Sequence, residues 1–303
     1  MKIIAFFNEK GGVGKSTFTL MYASQLKYKY GIKVGVADFN NRLTGYRKDE
    51  IRTMRQAEDI DESIIANAWP IVPVDRKAVA GYGPNNPGYA LWLEKLIREG
   101  EFKDMDVVIA DLPGSVSGRE LIHLVMYKMV NLVFVPFDKE QQAIEAAMAV
   151  KNFLRKVDGC RFCGFFNMVQ TSFGSKSDYV DIMEVLERQK LPVLPDMVSF
   201  SERMKNFGKV DPMRSTFSYP DWNRPEYKGS RDLGIENLFI DITREVNKAP
   251  DFRGTPKTYL SFVDNLQKDT SMQSLNRQLC GTSFPEYEVP MDEEAKTKFR
   301  KNR

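Results

Sequence analysis

A glycine-rich loop constrains the fold of this chain more than any other feature of its sequence. Residues 9–17 read EKGGVGKST, follow the apolar run 2–7 and precede the segment 15–30, where apolar residues recur at helical spacing. Three glycines allow the backbone to turn tightly and to direct several N–H groups at one point, and such a nest at the start of a helix binds anions. The strand before the loop and the helix after it are the context that a phosphate-binding loop requires. The sequence therefore predicts a phosphate site between a first strand and a first helix.

The side chains of this loop fit a nucleotide bound together with magnesium. Lys15 can reach the β- and γ-phosphates, and the hydroxyl of Ser16 is placed to ligate Mg²⁺. The backbone of the loop and the first turn of the helix would supply the other contacts. The predicted nucleotide-binding residues in this region are Gly11, Gly12, Val13, Gly14, Lys15, Ser16 and Thr17.

Apolar runs that alternate with helical patterns indicate an α/β fold. Further strands are expected at 32–38, 107–111, 132–137 and 162–169, and further helices at 89–98, 120–129, 139–157 and 235–246. This order of strands and helices implies a mostly parallel sheet with helices on both faces, in three layers. We assign residues 1–248 to this domain and residues 249–303 to a C-terminal extension, partly helical and ending in a basic tail.

Composition and residue counts exclude several classes of protein. A hydrophobic content of 42% and a charged content of 28% are those of a folded globular chain, not of a disordered or fibrous one. Three cysteines are too few for a disulfide framework and suit a reducing compartment, so we expect a cytoplasmic protein. One histidine, His123, argues against a histidine-rich metal site or a Ser-His-Asp hydrolase. A net charge of +3 does not by itself indicate a nucleic acid or membrane partner.

Residues 10–17, KGGVGKST, resemble the deviant Walker A motif of the ParA/MinD family of P-loop ATPases, and most of all its ParA branch. The resemblance extends over roughly residues 1–248 and implies a P-loop NTPase fold with ATP and Mg²⁺ as ligands. In that family the first lysine of the motif crosses a dimer interface to the nucleotide of the partner. The resemblance therefore implies a homodimer with ATP at its interface and gives the crossing role to Lys10.

The segment after the second strand follows the family pattern with a departure. Family members carry Asp-x-Asp-x-Gln, the switch I segment, where this chain reads DFNNR at residues 38–42. Asp38 would lie beside the metal. Asn40 stands where the family has the aspartate that positions the attacking water, so the resemblance implies a slow ATPase, or alternatively a nucleotide-binding scaffold with little hydrolysis.

Two further segments resemble the family. The strand at 107–111 is followed by a Walker B-like sequence, DLPG at residues 111–114, in which Asp111 would hold Mg²⁺ through water and Pro113 and Gly114 would form switch II. Asn167 matches the asparagine that binds adenine. The resemblance thus implies a catalytic set of Lys10, Lys15, Asp38 and Asn40, and metal ligands Ser16, Asp38 and Asp111.

The expected function is an ATP-dependent dimerisation switch in partition or conjugative transfer of a plasmid or mobile element, with a stimulating protein partner. A rival interpretation is an iron–sulfur carrier of the Mrp type, suggested by Cys160 and Cys163. That pair precedes the strand that ends at Asn167, whereas in the carriers it follows that strand, so we do not favour this interpretation.

Non-specific DNA is a possible partner, and two basic segments could bind it. The first is Arg42, Arg47, Lys48, Arg52 and Arg55, which are interleaved with acidic residues and which we interpret as a solvated helix face. The second lies in the loop 210–234, where basic and aromatic residues alternate and a protein partner is equally possible: Arg214, Phe217, Tyr219, Trp222, Arg224, Tyr227, Lys228 and Arg231. Residues 289–303 have no apolar face, so we do not expect binding to a membrane.

Overall fold

A six-stranded parallel sheet forms the centre of the part of the chain that the structure describes. This computed structural model describes residues 1–56, 62–75, 79, 88–114, 119–126, 128–156, 159–169, 176–198, 216–217 and 234–252. The strands are β1 (Lys2–Phe6), β2 (Val34–Asp38), β3 (Ile71–Pro73), β4 (Val107–Asp111), β5 (Leu132–Phe137) and β6 (Arg161–Phe166). Their order in the sheet is β3-β2-β4-β1-β5-β6, and each neighbouring pair is parallel.

Helices cover both faces of this sheet. They are α1 (Lys15–Ser24), continued by the π-helical segment Gln25–Lys29, then α2 (Arg42–Gln56), α3 (Glu62–Ala66), α4 (Gly88–Glu99), α5 (Arg119–Met126), α6 (Gln141–Leu154), α7 (Lys176–Arg188) and α8 (Ile235–Lys248). Buried residues of α1, α2 and α8 belong to one hydrophobic core, and those of α4, α5, α6 and α7 belong to another. The predicted three-layer α/β/α arrangement is confirmed.

The alternation of side chains along the strands divides the hydrophobic residues between these two cores. In β1, Ile3 and Ala5 pack into the core beside α4–α7, whereas Ile4 and Phe6 pack into the core beside α1, α2 and α8. A strand that is buried on both faces carries a continuous apolar run instead of an alternating one. This is why β1, β2, β4 and β5 could be recognised in the sequence.

Several elements differ from the expectation. The short strand β3 and the helices α3 and α7 were not predicted, and the strand expected to extend to residue 169 ends at Phe166. The predicted helix 15–30 changes to π-helical geometry at Gln25. The predicted C-terminal helix and basic tail, and the loop 210–234 apart from residues 216, 217 and 234, lie outside the described residues. Among the described helices, none combines the length and apolar character that a bilayer crossing requires.

Candidate nucleotide-binding site

The predicted site residues meet at the edge of the sheet where the strands end. Asp111, the last residue of β4, is in register with Phe6 of β1 on one side and with Asp38 of β2 on the other. The glycine-rich loop follows directly after β1 and leads into α1. In open parallel sheets, ligands bind at this carboxyl edge, beside a point where the chain crosses to the other face.

The glycines give the loop its shape. Gly12 and Gly14 have positive φ values of 79° and 94°, a conformation that residues with a side chain rarely adopt. A Cβ atom built on Gly11 or Gly12 would meet no atom within 4 Å, so the backbone there borders open space. A glycine-rich turn at the start of a helix, with open space beside Gly11 and Gly12, fits the phosphates of a nucleotide.

Ser16 and Asp111 come together below the loop. The Ser16 hydroxyl donates to Asp111 Oδ2 at 2.9 Å, and the Thr19 hydroxyl donates to Asp111 Oδ1 at 3.4 Å. Burial raises the pKa of the Asp111 carboxyl to about 7, against the opposing hydrogen bond from Ser16. A hydroxyl and a buried carboxylate are the oxygen ligands that suit Mg²⁺. The residues present therefore fit the metal that the sequence implied.

Lys15 lies within the cradle and has no acidic side chain as its hydrogen-bond partner among those described. Its Nζ donates to the backbone carbonyl of Lys10 at 2.9 Å. Burial lowers the pKa of Lys15 to about 8; the charge of Asp111 opposes this effect, and the charge of Arg42 adds to it. A buried ammonium group held by a carbonyl has donors left for phosphate oxygens.

The switch II residues Pro113 and Gly114 follow β4 beside this lysine. A Cβ atom on Gly114 would lie 2.7 Å from Lys15 Nζ and 3.2 Å from the carbonyl oxygen of Glu9. Both distances are shorter than ordinary contact, so the absence of a side chain at Gly114 leaves the room that the Lys15 ammonium occupies.

Asp38 anchors the start of α2. Its Oδ1 accepts a hydrogen bond from the backbone N–H of Asn40 at 3.1 Å, and its Oδ2 accepts two from Thr44, one from the backbone N–H and one from the hydroxyl, both at 2.8 Å. A carboxylate that caps N–H groups in the first turn stabilises a helix. The carboxylate predicted to lie beside the metal thus orders switch I, with Asn40 in the turn between. Thr44, the capping partner, was not singled out in the sequence.

Lys10 extends away from the cradle toward the end of β5. Its Nζ donates to Asp138 Oδ2 at 2.8 Å and to Glu140 Oε2 at 2.7 Å. Burial lowers the pKa of Lys10, but the hydrogen bonds and charges of the two acids outweigh this and raise it overall. The two acids were not predicted as site residues. The signal that could have indicated them is their position, just after a strand that ends at the same edge as the loop.

Asn167 is fastened to the loop itself. It is buried at the end of β6, and its Nδ2 donates to the carbonyl oxygen of Val13 at 2.9 Å. The same nitrogen lies 2.6 Å from the position of a Cβ on Gly14. Asn167 therefore holds the phosphate loop in place, and its contact with adenine stays a prediction.

The two cysteines of the C-x-x-C sequence lie on opposite faces of the sheet. Cys160 packs against the core beside α4–α7, whereas Cys163 belongs to the core beside α1, α2 and α8. Both lie toward the beginning of β6, at the edge opposite Asn167. Burial raises the pKa of each thiol to about 12. This arrangement does not bring two thiolates to one iron–sulfur cluster.

We expect Cys160 and Cys163 to resist alkylation in the folded protein, because a thiol with a pKa near 12 is scarcely ionised at pH 8 and the thiolate is the reactive form. Treatment with iodoacetamide, followed by peptide mass spectrometry, should show both modified only after unfolding in denaturant. Rapid labelling of both in the native state, or iron that is lost on Cys163→Ser substitution, would contradict the buried arrangement.

The basic residues of α2 do not form the uniformly solvated face that was expected. Arg47 is inserted between two rings, with its guanidinium carbon 4.7 Å from the centre of Trp69 and 4.8 Å from that of Phe217. Arg52 and Arg55 are exposed and pair with Asp49 and Glu62, as expected for a solvated face. The interpretation of Arg47 was therefore wrong, because it packs under residues 216–217. The basic residues of the second predicted segment lie outside the described part of the chain.

A buried carboxylate fixes residues 216–217 to α2. Glu50 accepts hydrogen bonds from the backbone N–H of Thr216 at 2.9 and 3.0 Å and another from its hydroxyl. Tyr28 donates from its hydroxyl to the Thr216 carbonyl at 2.9 Å. Burial lowers the pKa of Arg47 to about 10, while the charges of Tyr28 and Glu50 oppose that change. This cluster, Tyr28, Arg47, Glu50, Thr216 and Phe217, is called the Glu50 cluster below.

Known structures share the fold. MinD, a cell division protein of Aquifex aeolicus, superposes with a TM-score of 0.53 at 15% identity, over 83% of this chain and 99% of that one. A putative plasmid partition protein of Borrelia burgdorferi bound to AMPPNP superposes with a TM-score of 0.53 at 17% identity, over 80% of this chain and 98% of that one. A Cyanothece McdA variant in complex with ATP superposes with a TM-score of 0.53 at 14% identity, over 83% of this chain and 98% of that one. These likenesses confirm the predicted fold.

Comparison with curated protein sequences gives no match. A family model, described as ParA, NUBPL iron-transfer P-loop NTPase, matches residues 1–190. The match spans the phosphate loop, both aspartates that end β2 and β4, and Asn167. Because it covers 190 of the 303 residues, the chain belongs to the ParA family of P-loop NTPases.

Proposed function

We propose that this protein is a slow ATPase that acts as an ATP-dependent dimerisation switch, in partition or conjugative transfer of a plasmid or another mobile element. The observation that carries the proposal is that the two lysines of one loop have different positions and different hydrogen-bond partners. Lys15 occupies the cradle, whereas Lys10 is directed out of it to Asp138 and Glu140. A loop lysine with no role at its own phosphates is suited to the nucleotide of a second copy.

Within one subunit, the chemistry rests on positioning and charge. The loop N–H groups and Lys15 would bind the phosphates, and Ser16 and Asp111 would hold Mg²⁺, which when bound neutralises phosphate charge. Water attacks the γ-phosphorus, and ADP and phosphate are the products. Asn40 offers the attacking water an amide instead of a carboxylate, which supports slow turnover, since an amide is a far poorer base.

The cellular role rests on less specific support. One similar structure is of a plasmid partition protein, and another is a complex of MinC with MinD, at 14% identity and a TM-score of 0.51. We propose that the dimer binds non-specific DNA and that a protein partner stimulates it.

The dimerisation switch predicts opposite effects at the two ends of the Lys10 ion pair. Lys10→Ala should bind ATP nearly as well as the wild type but should remain a monomer. The double variant Asp138→Asn/Glu140→Gln should dimerise at lower ATP concentration. In this variant Lys10 would not have to break ion pairs with two carboxylates before it contacts a phosphate of the second subunit's nucleotide. Size-exclusion chromatography with light scattering, in ATP, in ADP and without nucleotide, measures both.

Lys15→Ala is the control for nucleotide binding itself, since it should lose ATP in the monomer as well. A Lys10→Ala protein that dimerises with ATP as the wild type does would refute the crossing role. A wild type that stays monomeric with ATP would leave the proposed switch without a basis and favour a nucleotide-binding scaffold.

A further inference from the structure

We propose that Arg42 is an additional phosphate-binding residue of this site, which contacts the γ-phosphate of the nucleotide bound to its own subunit. The proposal deepens the ATPase function and rests on it. Arg42 is the residue at which the chain departs from the glutamine of the Asp-x-Asp-x-Gln pattern. Nothing in the pattern assigns a cation to this position.

The first argument is the fixed position of Arg42. It is the first residue of α2, four residues after Asp38, whose strand end is in register with Asp111. Asn41 adopts a left-handed φ of 58°, which turns the chain into the helix, and Asp38 caps Thr44 in the first turn. The start of α2 is thus tied at the edge of the sheet that carries the phosphate loop, and Arg42 is tied with it.

The second argument is the charge around Arg42. Arg42 begins α2 at the edge of the sheet that also carries Lys15, so the site contains two cations, and like charges repel each other. Within the described part of the chain, Arg42 makes no hydrogen bond or ion pair, and its side chain is exposed. Repulsion between two cations is relieved by an anion between them, and a triphosphate carries several negative charges.

The third argument is the contrast with the other cations of α2. Arg47 is enclosed by Trp69 and Phe217, and Arg52 and Arg55 pair with acids. Lys48 is exposed and has no acidic partner among the described side chains, but it stands six residues farther along the helix. Arg42 therefore combines a guanidinium that has no partner in the described part of the chain with a place at the phosphate edge, and a guanidinium can bind two phosphate oxygens at once.

In hydrolysis, the water oxygen forms a bond to the γ-phosphorus, the bond to the β–γ bridging oxygen breaks, and the protons of water pass to phosphate and solvent. Arg42 forms no covalent bond. Its charge would stabilise the negative charge that collects on the γ-phosphoryl oxygens during this exchange. Asn40, two residues before Arg42, is neutral. It therefore does not offset the positive charge of Arg42 as a carboxylate at that position would.

The test compares AMPPNP with ADP in equilibrium binding, measured by calorimetry at protein concentrations where the wild type is monomeric. Arg42→Gln should weaken AMPPNP binding by about tenfold to a hundredfold, as expected for loss of a hydrogen bond to a charged group, and should change ADP binding by less than about twofold. Arg42→Lys should recover part of the loss. Single-turnover hydrolysis of ATP by Arg42→Gln should fall at least about tenfold.

Lys48→Gln is the matched control, since it removes an exposed charge from the same helix, and its nucleotide affinities should equal those of the wild type. Equal weakening of AMPPNP and ADP by Arg42→Gln, or no weakening of either, would overturn the proposal. A loss seen only in the dimer would place Arg42 at the interface and overturn it as well. If the wild type itself does not bind AMPPNP, the proposed ATPase function fails, and Arg42 loses its ligand.

Discussion

Gly14→Ala should remove nucleotide binding and lower the free energy of unfolding by about 2–5 kcal/mol. Part of that loss is backbone strain, because the φ of 94° at Gly14 costs a residue with a side chain about 1–2 kcal/mol. The rest is overpacking, at about 1–3 kcal/mol, since the new methyl group would lie 2.6 Å from Asn167 Nδ2 and 3.2 Å from the Phe18 ring. Denaturant unfolding and calorimetric titration with AMPPNP measure the two effects.

Gly45→Ala provides the matched control. Gly45 lies in α2, where an added Cβ would meet no atom within 4 Å. An exposed helical glycine replaced by alanine should gain stability, by about 0.5–1 kcal/mol, with AMPPNP affinity unchanged. If Gly14→Ala were as stable as the wild type and bound AMPPNP, then the loop would not have the conformation described above.

Glu50→Ala should lower the free energy of unfolding by about 1–3 kcal/mol, the usual cost of leaving a buried hydrogen-bond donor without its acceptor. Glu50 is 4% exposed and accepts the hydrogen bonds of Thr216. Its removal would leave the Thr216 N–H without an acceptor and the Arg47 guanidinium without the opposite charge that offsets its burial. Chemical denaturation measures the loss, and the variant should also expose residues 216–217 to proteolysis.

Asp49→Ala is the control for Glu50→Ala. Asp49 is the neighbouring acid on α2, and its pair with Arg52 is exposed on both sides, so its removal should change stability by less than about 1 kcal/mol. A double-mutant cycle of Glu50→Ala with Thr216→Ala should show strong coupling, because the two residues contact each other. Additive effects in that cycle would contradict the Glu50 cluster.

The sequence was most informative where one physical constraint acts on neighbouring residues. The loop 9–17 could be interpreted because glycine, lysine and hydroxyl residues at fixed spacing serve one anion. The strands β1, β2, β4 and β5 could be predicted because burial on both faces leaves a short uninterrupted apolar run. In contrast, β3 has three residues, none of them fully buried, and so carries no such signal.

Contacts between distant residues could not be predicted from one sequence. Lys10 meets Asp138 across 128 positions, and Thr216 meets Glu50 across 166. Nothing local distinguishes Glu50 from other charged residues on solvated helices, and the position of Asp138 after β5 indicates the edge of the sheet but not Lys10 as its partner. The same limit explains the error at Arg47, since its two aromatic neighbours come from segments far along the chain. The opposite orientation of Cys160 and Cys163, however, could have been inferred from the alternation of side chains in a strand.

The end of the described chain returns to its beginning. The backbone N–H of Phe252 donates to the carbonyl of Met1 at 2.9 Å, and Asp251 pairs with the Met1 ammonium group at 3.3 Å. Met1 precedes β1, so this closure lies at the amino edge of the sheet, about 17 Å of strand away from the phosphate loop. A fluorescent protein or an affinity handle attached after Phe252 would therefore project from the pole remote from the nucleotide, and would leave the surface around Lys10 open to a second subunit.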